Sequence, residues 1–190
     1  MQKMKELILD NGAYLGSGIL KVDSFINHQV DPSFMMECGK EFARLFADVN
    51  PTRILTAEIS GIAPAVMTGL AMDIPVVFAR KSKPVTMPDQ VYLTIAPSHT
   101  KGISVELIVS PEYLAQGERV LIIDDFLASG ATIRGLVRLI QAAGATLVGI
   151  GALIEKDFEG GRELLTPLNV PIESLACITH MDENGITVKD

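Results

Sequence analysis

Val120-Leu121-Ile122-Ile123-Asp124-Asp125-Phe126-Leu127-Ala128-Ser129-Gly130-Ala131-Thr132 is the stretch whose reading decides the fold. Four apolar residues, three of them Val or Ile, follow Arg119 and read as a buried strand over Arg119 to Ile123. The strand ends at two adjacent carboxylates. A turn of small residues, Ala128 to Thr132, then feeds a helix from about Gly130 to Ala143, closed by Gly144 as a C-cap. Consecutive backbone N–H groups in such a turn, together with the positive end of the helix, cradle a phosphate. Small side chains let the anion reach the backbone, and Ser129 and Thr132 add hydroxyl donors. Asp124 and Asp125 would be costly beside a bare phosphate. They make sense facing hydroxyl groups and a developing positive charge, as on a ribose ring.

Three other readings compete for the same residues. One is a plain strand-turn-helix with a solvated acidic pair. A receiver domain needs its acidic pair near the N-terminus and a later strand lysine, which fits poorly. A Walker B strand needs a companion GxxxxGK[ST], which the chain lacks.

Outward from this core, helical and strand periods alternate, the pattern of an α/β domain. The N-terminal MQKMKELILDNG is an amphipathic helix pattern, without the long apolar stretch of a signal peptide. Asp31-Pro32 opens a helix as N-cap and N1 residues. Strands are predicted over Arg53–Ala57, Ile74–Ala79, Ser104–Val109, Thr146–Ile154 and Ile172–Ile178, with a helix over Gly61–Met72. The polar excursion from Ser82 to Lys101, carrying Pro84, Pro88 and Pro97, reads as a lid or β-ribbon, or else as a disordered segment. No repeat or linker divides the 190 residues, so one domain spanning 1–190 is expected.

Composition narrows the function further. A net charge of −7 argues against nucleic acid, so any site for an anion must be a local positive feature. No apolar run reaches the about 18 residues of a membrane span. Cys38 and Cys177 are far apart in sequence and read as core residues of a reducing cytoplasm, with no metal site implied. Glu58 to Gly61, Arg80-Lys81, Asp124 to Thr132 and Lys156 each follow a predicted strand. In an open parallel sheet all four converge at the carboxyl edge, where ligands bind.

Residues 120–132 resemble the phosphoribosyl pyrophosphate (PRPP) signature of the type I phosphoribosyltransferases, and the resemblance spans essentially the whole chain. It implies that family's fold, a mostly parallel central sheet flanked by helices with a small hood. The hood is expected from about residues 18–32 and the C-terminal segment, with the family's mobile loop at about 82–103. Glu58-Ile59-Ser60-Gly61-Ile62-Ala63-Pro64 is similar to the pyrophosphate loop, and Arg80-Lys81 to the basic dipeptide that neutralises pyrophosphate. PRPP is then held by Ser60, Gly61, Arg80, Lys81, Ala128, Ser129, Gly130, Ala131 and Thr132, with Asp124 and Asp125 catalytic. Residues 20–32 and Glu155-Lys156-Asp157-Phe158 resemble the branch that takes a purine with two oxygens, which makes xanthine the expected base.

Leu20, Asn27 and Lys156 would line the base pocket, Lys156 donating to the 6-oxo oxygen and Asn27 to the 2-oxo oxygen. By position alone Lys156 reads equally as a solvated strand-end lysine. Phe158 is the expected stacking ring, though a core role suits it nearly as well. His28 and His99 are assigned no catalytic role. Pro97 stands where many relatives carry Tyr, and Ser98 and Lys101 are candidate phosphate ligands on hood closure. Mg²⁺ is expected to arrive with PRPP, with no metal site supplied by the chain, and the family implies a homodimer. Alternatives are a transferase for hypoxanthine, guanine or adenine, or a PRPP-sensing regulator on the same fold, which would need a basic face or an appended domain.

Overall fold

The structure is a computed structural model and describes residues 1–97 and 104–189. Helix α1 (Gln2–Asn11) buries Met4 and Ile8, one turn apart on one face. A short antiparallel ribbon follows, β1 (Ala13–Tyr14) with β2 (Leu20–Lys21), and then a π-helical turn over Asp23–Asn27. Helix α2 (Pro32–Leu45) starts as its sequence dictates: the Asp31 carboxylate accepts from the Phe34 N–H at 3.0 Å, and Pro32 takes a first-turn position that needs no N–H. Next come β3 (Arg53–Ala57), α3 (Ile62–Met72), β4 (Val76–Ala79), and the antiparallel pair β5 (Tyr92–Pro97) and β6 (Ser104–Val109). The chain ends with β7 (Arg119–Leu127), α4 (Ala131–Ala142), β8 (Thr146–Lys156), α5 (Gly161–Leu165), β9 (Ile172–Asp182) and β10 (Gly185–Val188).

Six strands form one sheet in the order β10-β9-β8-β7-β3-β4, all neighbours parallel except β10, which returns antiparallel on β9. The apolar run of β7 is continuous because both its faces are covered. Leu121 and Ile123 point into a core shared with α1, α2 and the β2 region, through Ile8, Phe34, Phe42 and Val22. Val120 and Ile122 point the other way, to Leu136, Leu139 and Ile140 of α4. Helices therefore sandwich the sheet, and the carboxyl ends of β3, β7 and β8 lie side by side.

Several boundaries differ from the sequence reading, each for a pairing reason. β7 runs four residues past Ile123, because its ladder with β8 continues to Leu127 opposite Glu155. Asp124 and Asp125 therefore lie within a paired strand, with Asp124 opposite Ala152. β6 exists as expected but leaves the central sheet and pairs with β5 in a separate ribbon, joined to the strand-β4 end by the Arg80–Ile108 bridge. That ribbon packs on α4, where Arg138 donates to Thr94 Oγ1 and to the Ile95 carbonyl, both at 2.7 Å. β9 runs on to Asp182 because β10, which sequence did not signal, pairs with it. Ser98, His99 and Lys101 lie outside the described residues.

Candidate active site

Where the strand ends meet, a cleft of about 330 Å³ opens. Its floor is the end of β7. Asp124 is almost wholly buried there, and Asp125 partly so. Asp124 Oδ1 accepts from the Asp125 N–H at 3.1 Å, and Asp125 Oδ1 from the Phe126 N–H at 3.0 Å. Burial pushes the Asp124 carboxyl well above the usual carboxylate range, and the neighbouring Asp125 charge adds to it. Burial raises Asp125 as well, opposed by hydrogen bonds that include the Ser60 hydroxyl. Lys81 is a cation whose charge opposes the rise at Asp124.

Beside the acidic pair lies the turn from β3 into α3. Gly61 is required here by close approach: a Cβ would stand 2.2 Å from Thr56 Oγ1 and 2.5 Å from Asp124 Oδ1. The Glu58–Ile59 peptide is cis. Glu58 organises the basic dipeptide that ends β4. Its carboxylate accepts from the Arg80 Nε at 2.8 Å and from the Lys81 backbone N–H at 2.6 Å. Lys81 then lines the cleft, whereas Arg80 faces Glu58 and is not among the lining residues.

On the far side, Ala128 to Ile133 wrap the mouth of α4. Gly130 takes a left-handed φ of 76° as the helix N-cap, so the first-turn N–H groups open onto the cleft. Gly161 is packed against this turn so closely that a Cβ would lie 2.1 Å from the Ala128 carbonyl oxygen. The turn after β8 thus buttresses the phosphate-type loop.

The third wall comes from the N-terminal segment and the end of β8. Leu20 and Asn27 line it, as does Lys156 at the end of β8. Lys156 is buried; its Nζ donates to the Gly18 carbonyl at 2.7 Å, stands 3.4 Å from Glu159 Oε1 and lies 5.3 Å from the Phe126 ring centroid. Just behind it, Glu155 accepts two 2.6 Å hydrogen bonds from Arg162 and one of 2.6 Å from Ser174. Glu155, Asp157 and Cys177 lie close enough to suggest a metal trio, but those bonds already commit Glu155.

The acidic pair of β7, the small-residue turn into α4, the Gly61 turn, Lys81 and Lys156 share one cleft. The phosphoribosyl transferase domain model matches residues 31–185. The chain belongs to the phosphoribosyltransferase family. Phosphoribosyltransferases are pentosyltransferases, and this one is 48% identical over 188 residues to the xanthine phosphoribosyltransferase of Deinococcus deserti, covering 99% of this chain and 97% of that one. It is 47% identical to the xanthine phosphoribosyltransferase of Latilactobacillus sakei, over 100% of this chain and 97% of that protein. In fold it is similar to the adenine phosphoribosyltransferase of Thermoanaerobacter pseudethanolicus, with a TM-score of 0.74 at 21% identity over 92% of this chain and 99% of that one. The fold is the type I phosphoribosyltransferase fold.

For this phosphoribosyltransferase, thirteen of the fourteen residues named from sequence share the cleft, Arg80 being the exception. Phe158 is half-exposed and lies outside the lining; Phe126 lines it instead, under Lys156. Sequence reasoning missed Phe126 because it ended β7 four residues too early, at Ile123. Once the strand is extended, the alternation that sends Asp124 to the cleft sends Phe126 there too.

Proposed function

We propose that this phosphoribosyltransferase transfers ribose 5-phosphate from PRPP to N9 of xanthine, giving XMP and pyrophosphate. The observation that carries the reading is that Lys156 and Asn27 line the same cleft as the acidic pair. Lys156 offers a donor to the 6-oxo oxygen and Asn27 an amide N–H to the 2-oxo oxygen. The two relatives named xanthine phosphoribosyltransferase support the same choice. Phe126 offers the base a ring face.

The chemistry follows from what each wall can do. Backbone N–H groups and hydroxyls of Ala128 to Thr132 anchor the 5-phosphate. Ser60, Gly61 and Lys81 receive the pyrophosphate, with Arg80 held beside them through Glu58. As the C1–oxygen bond breaks, positive charge grows on the ribose ring. The fixed carboxylates of Asp124 and Asp125 stabilise it while they orient the ring hydroxyls. Holding N9 and C1 in line removes the entropy of encounter.

Two carboxylates beside a diphosphate are the oxygen donors that Mg²⁺ takes, usually one or two from protein and the rest from substrate and water. Asp124 and Asp125 would hold the ion with PRPP, and it would neutralise the leaving pyrophosphate. The burial that raises Asp124 would be offset by a cation arriving there with PRPP.

We further propose a homodimer of the cytoplasm. No helix among the described residues is long and apolar enough to cross a membrane.

The test is a spectrophotometric assay of xanthine, hypoxanthine, guanine and adenine with PRPP and Mg²⁺. The reading requires xanthine to be preferred. A wild type that prefers hypoxanthine overturns the base assignment. Asn27→Ala should lower kcat/KM for xanthine about tenfold more than for hypoxanthine, because only xanthine loses a partner at C2. Equal loss on both bases reduces Asn27 to a scaffold residue.

A further inference from the structure

Lys156 carries three N–H bonds on a long flexible stem, and a base-reading lysine must be held before it can discriminate. At its Nζ stand one hydrogen-bond acceptor, the Gly18 carbonyl at 2.7 Å, and one carboxylate at ion-pair distance, Glu159 Oε1 at 3.4 Å. Both charged side chains are sheltered, 8% exposed for Lys156 and 14% for Glu159, so the attraction between them is weakly screened. The geometry points to Glu159 as a positioning residue for Lys156, its charge drawing the ammonium into place while the Gly18 carbonyl takes one N–H and leaves the others for the purine's 6-oxo oxygen. This inference rests on the reading of Lys156 as the base's partner.

The local fold explains how Glu159 reaches. β8 ends at Lys156 and passes into a 3₁₀ turn over Asp157–Glu159, in which residues three apart eclipse one another. Gly160, with a φ of 74°, then turns the chain into α5. That turn is fixed from both sides. Gly161 packs on the Ala128 carbonyl, and Arg162 is tied to Glu155. The hood loop meets it from above: Gly16, Ser17 and Gly18 run through left-handed φ values of 88°, 50° and 75°, and a Cβ at Gly18 would lie 3.7 Å from Glu159 Oε1. Gly18 and Glu159 therefore approach Lys156 together, one from the hood and one from the sheet edge. Glu159 is not among the residues that line the cleft, so it acts through Lys156 and does not touch the base.

The experiment uses the full-length enzyme with Glu159→Ala and Glu159→Gln. KM is measured for xanthine, hypoxanthine and PRPP, and calorimetry follows XMP and ribose 5-phosphate. Glu159→Ala should raise KM for xanthine and hypoxanthine together by about tenfold, since both carry the 6-oxo group. KM for PRPP and the melting temperature should not move. XMP binding should weaken about tenfold while ribose 5-phosphate binding holds. Glu159→Gln, which keeps the shape but removes the charge, should lose base binding as Glu159→Ala does, and a full recovery in it overturns the inference. An unchanged base KM in Glu159→Ala overturns the inference. So does a parallel rise in KM for PRPP with a fallen melting temperature, which marks a structural role. A wild type that favours guanine or hypoxanthine overturns the base assignment alone, and the same split is then read on that base.

Discussion

Asp124 and Asp125 are adjacent, yet alternation along β7 gives them different surroundings. Asp125 is the less buried and takes a hydrogen bond from Ser60, so it stays nearer its ionised form. Asp125→Asn should cut turnover by about 10²–10³, the usual cost of losing an electrostatic contact to a developing charge, with the melting temperature nearly unchanged. Steady-state assays beside a thermal melt decide this, and an unaltered rate would remove the residue from the mechanism. Asp124 makes a different prediction. Its carboxyl is raised well above the ordinary value, so ionisation penalises the folded state. That penalty is absent below the unfolded pKa of about 3.9 and complete above the raised folded value. In the substrate-free, metal-free protein, Asp124→Asn should therefore melt higher than wild type at neutral pH. The advantage should shrink as pH falls through the raised pKa. A variant that melts lower at neutral pH would contradict it.

At the scale of elements, the end of β8 and the turn after it hold the Lys156 wall of the cleft in place. Glu155 is buried and spans three attachments: Arg162 on α5, Ser174 on β9 and its own strand. Burial pushes its carboxyl up, but Arg162 and Ser174 outweigh that and leave it below the ordinary range. A lowered carboxyl stabilises the fold above its unfolded pKa of about 4.3, and the gain is lost as pH falls through the folded value. Glu155→Ala leaves Arg162 without its carboxylate and removes a buried anchor. It should cost about 3 kcal/mol, the low end for breaking a buried pair, because Arg162 is 39% exposed on its side chain. Urea denaturation should show a lower midpoint with an unchanged slope, and the difference from wild type should narrow below about pH 4. A loss under about 0.5 kcal/mol would place the anchor elsewhere.

For the whole molecule, what remains uncovered is informative. Val66 and Leu70 lie one turn apart on α3 and are 44% and 66% exposed; Phe78, on the neighbouring edge strand β4, is 39% exposed. An apolar helix face beside a strand bonded on one side along its length is a surface that a second copy can cover. The proposed homodimer should therefore sediment at about twice 20.5 kDa at micromolar concentration, and Leu70→Glu should shift it toward the single chain. A lone 20.5 kDa species in wild type would refute the dimer. This surface lies outside the residues that line the cleft, so Leu70→Glu tests assembly apart from base recognition.

By itself the sequence determined the α/β class, the helix start at Asp31-Pro32, the bounds of β3 and the small-residue turn that enters the cleft. Those features rest on local rules: a cap accepts from the next turn, Pro fits a first turn, and small residues leave backbone N–H groups open to an anion. Only tertiary structure decided what depends on a partner strand or a distant loop. β7 continues through Asp124 and Asp125 because β8 supplies its ladder as far as Glu155. β6 leaves the sheet because β5 pairs with it and α4 holds the pair. Arg80 turns from the cleft because Glu58, twenty-two residues earlier, offers a carboxylate. Lys156 is held by a carbonyl 138 residues away, a contact that no window of neighbouring residues encodes.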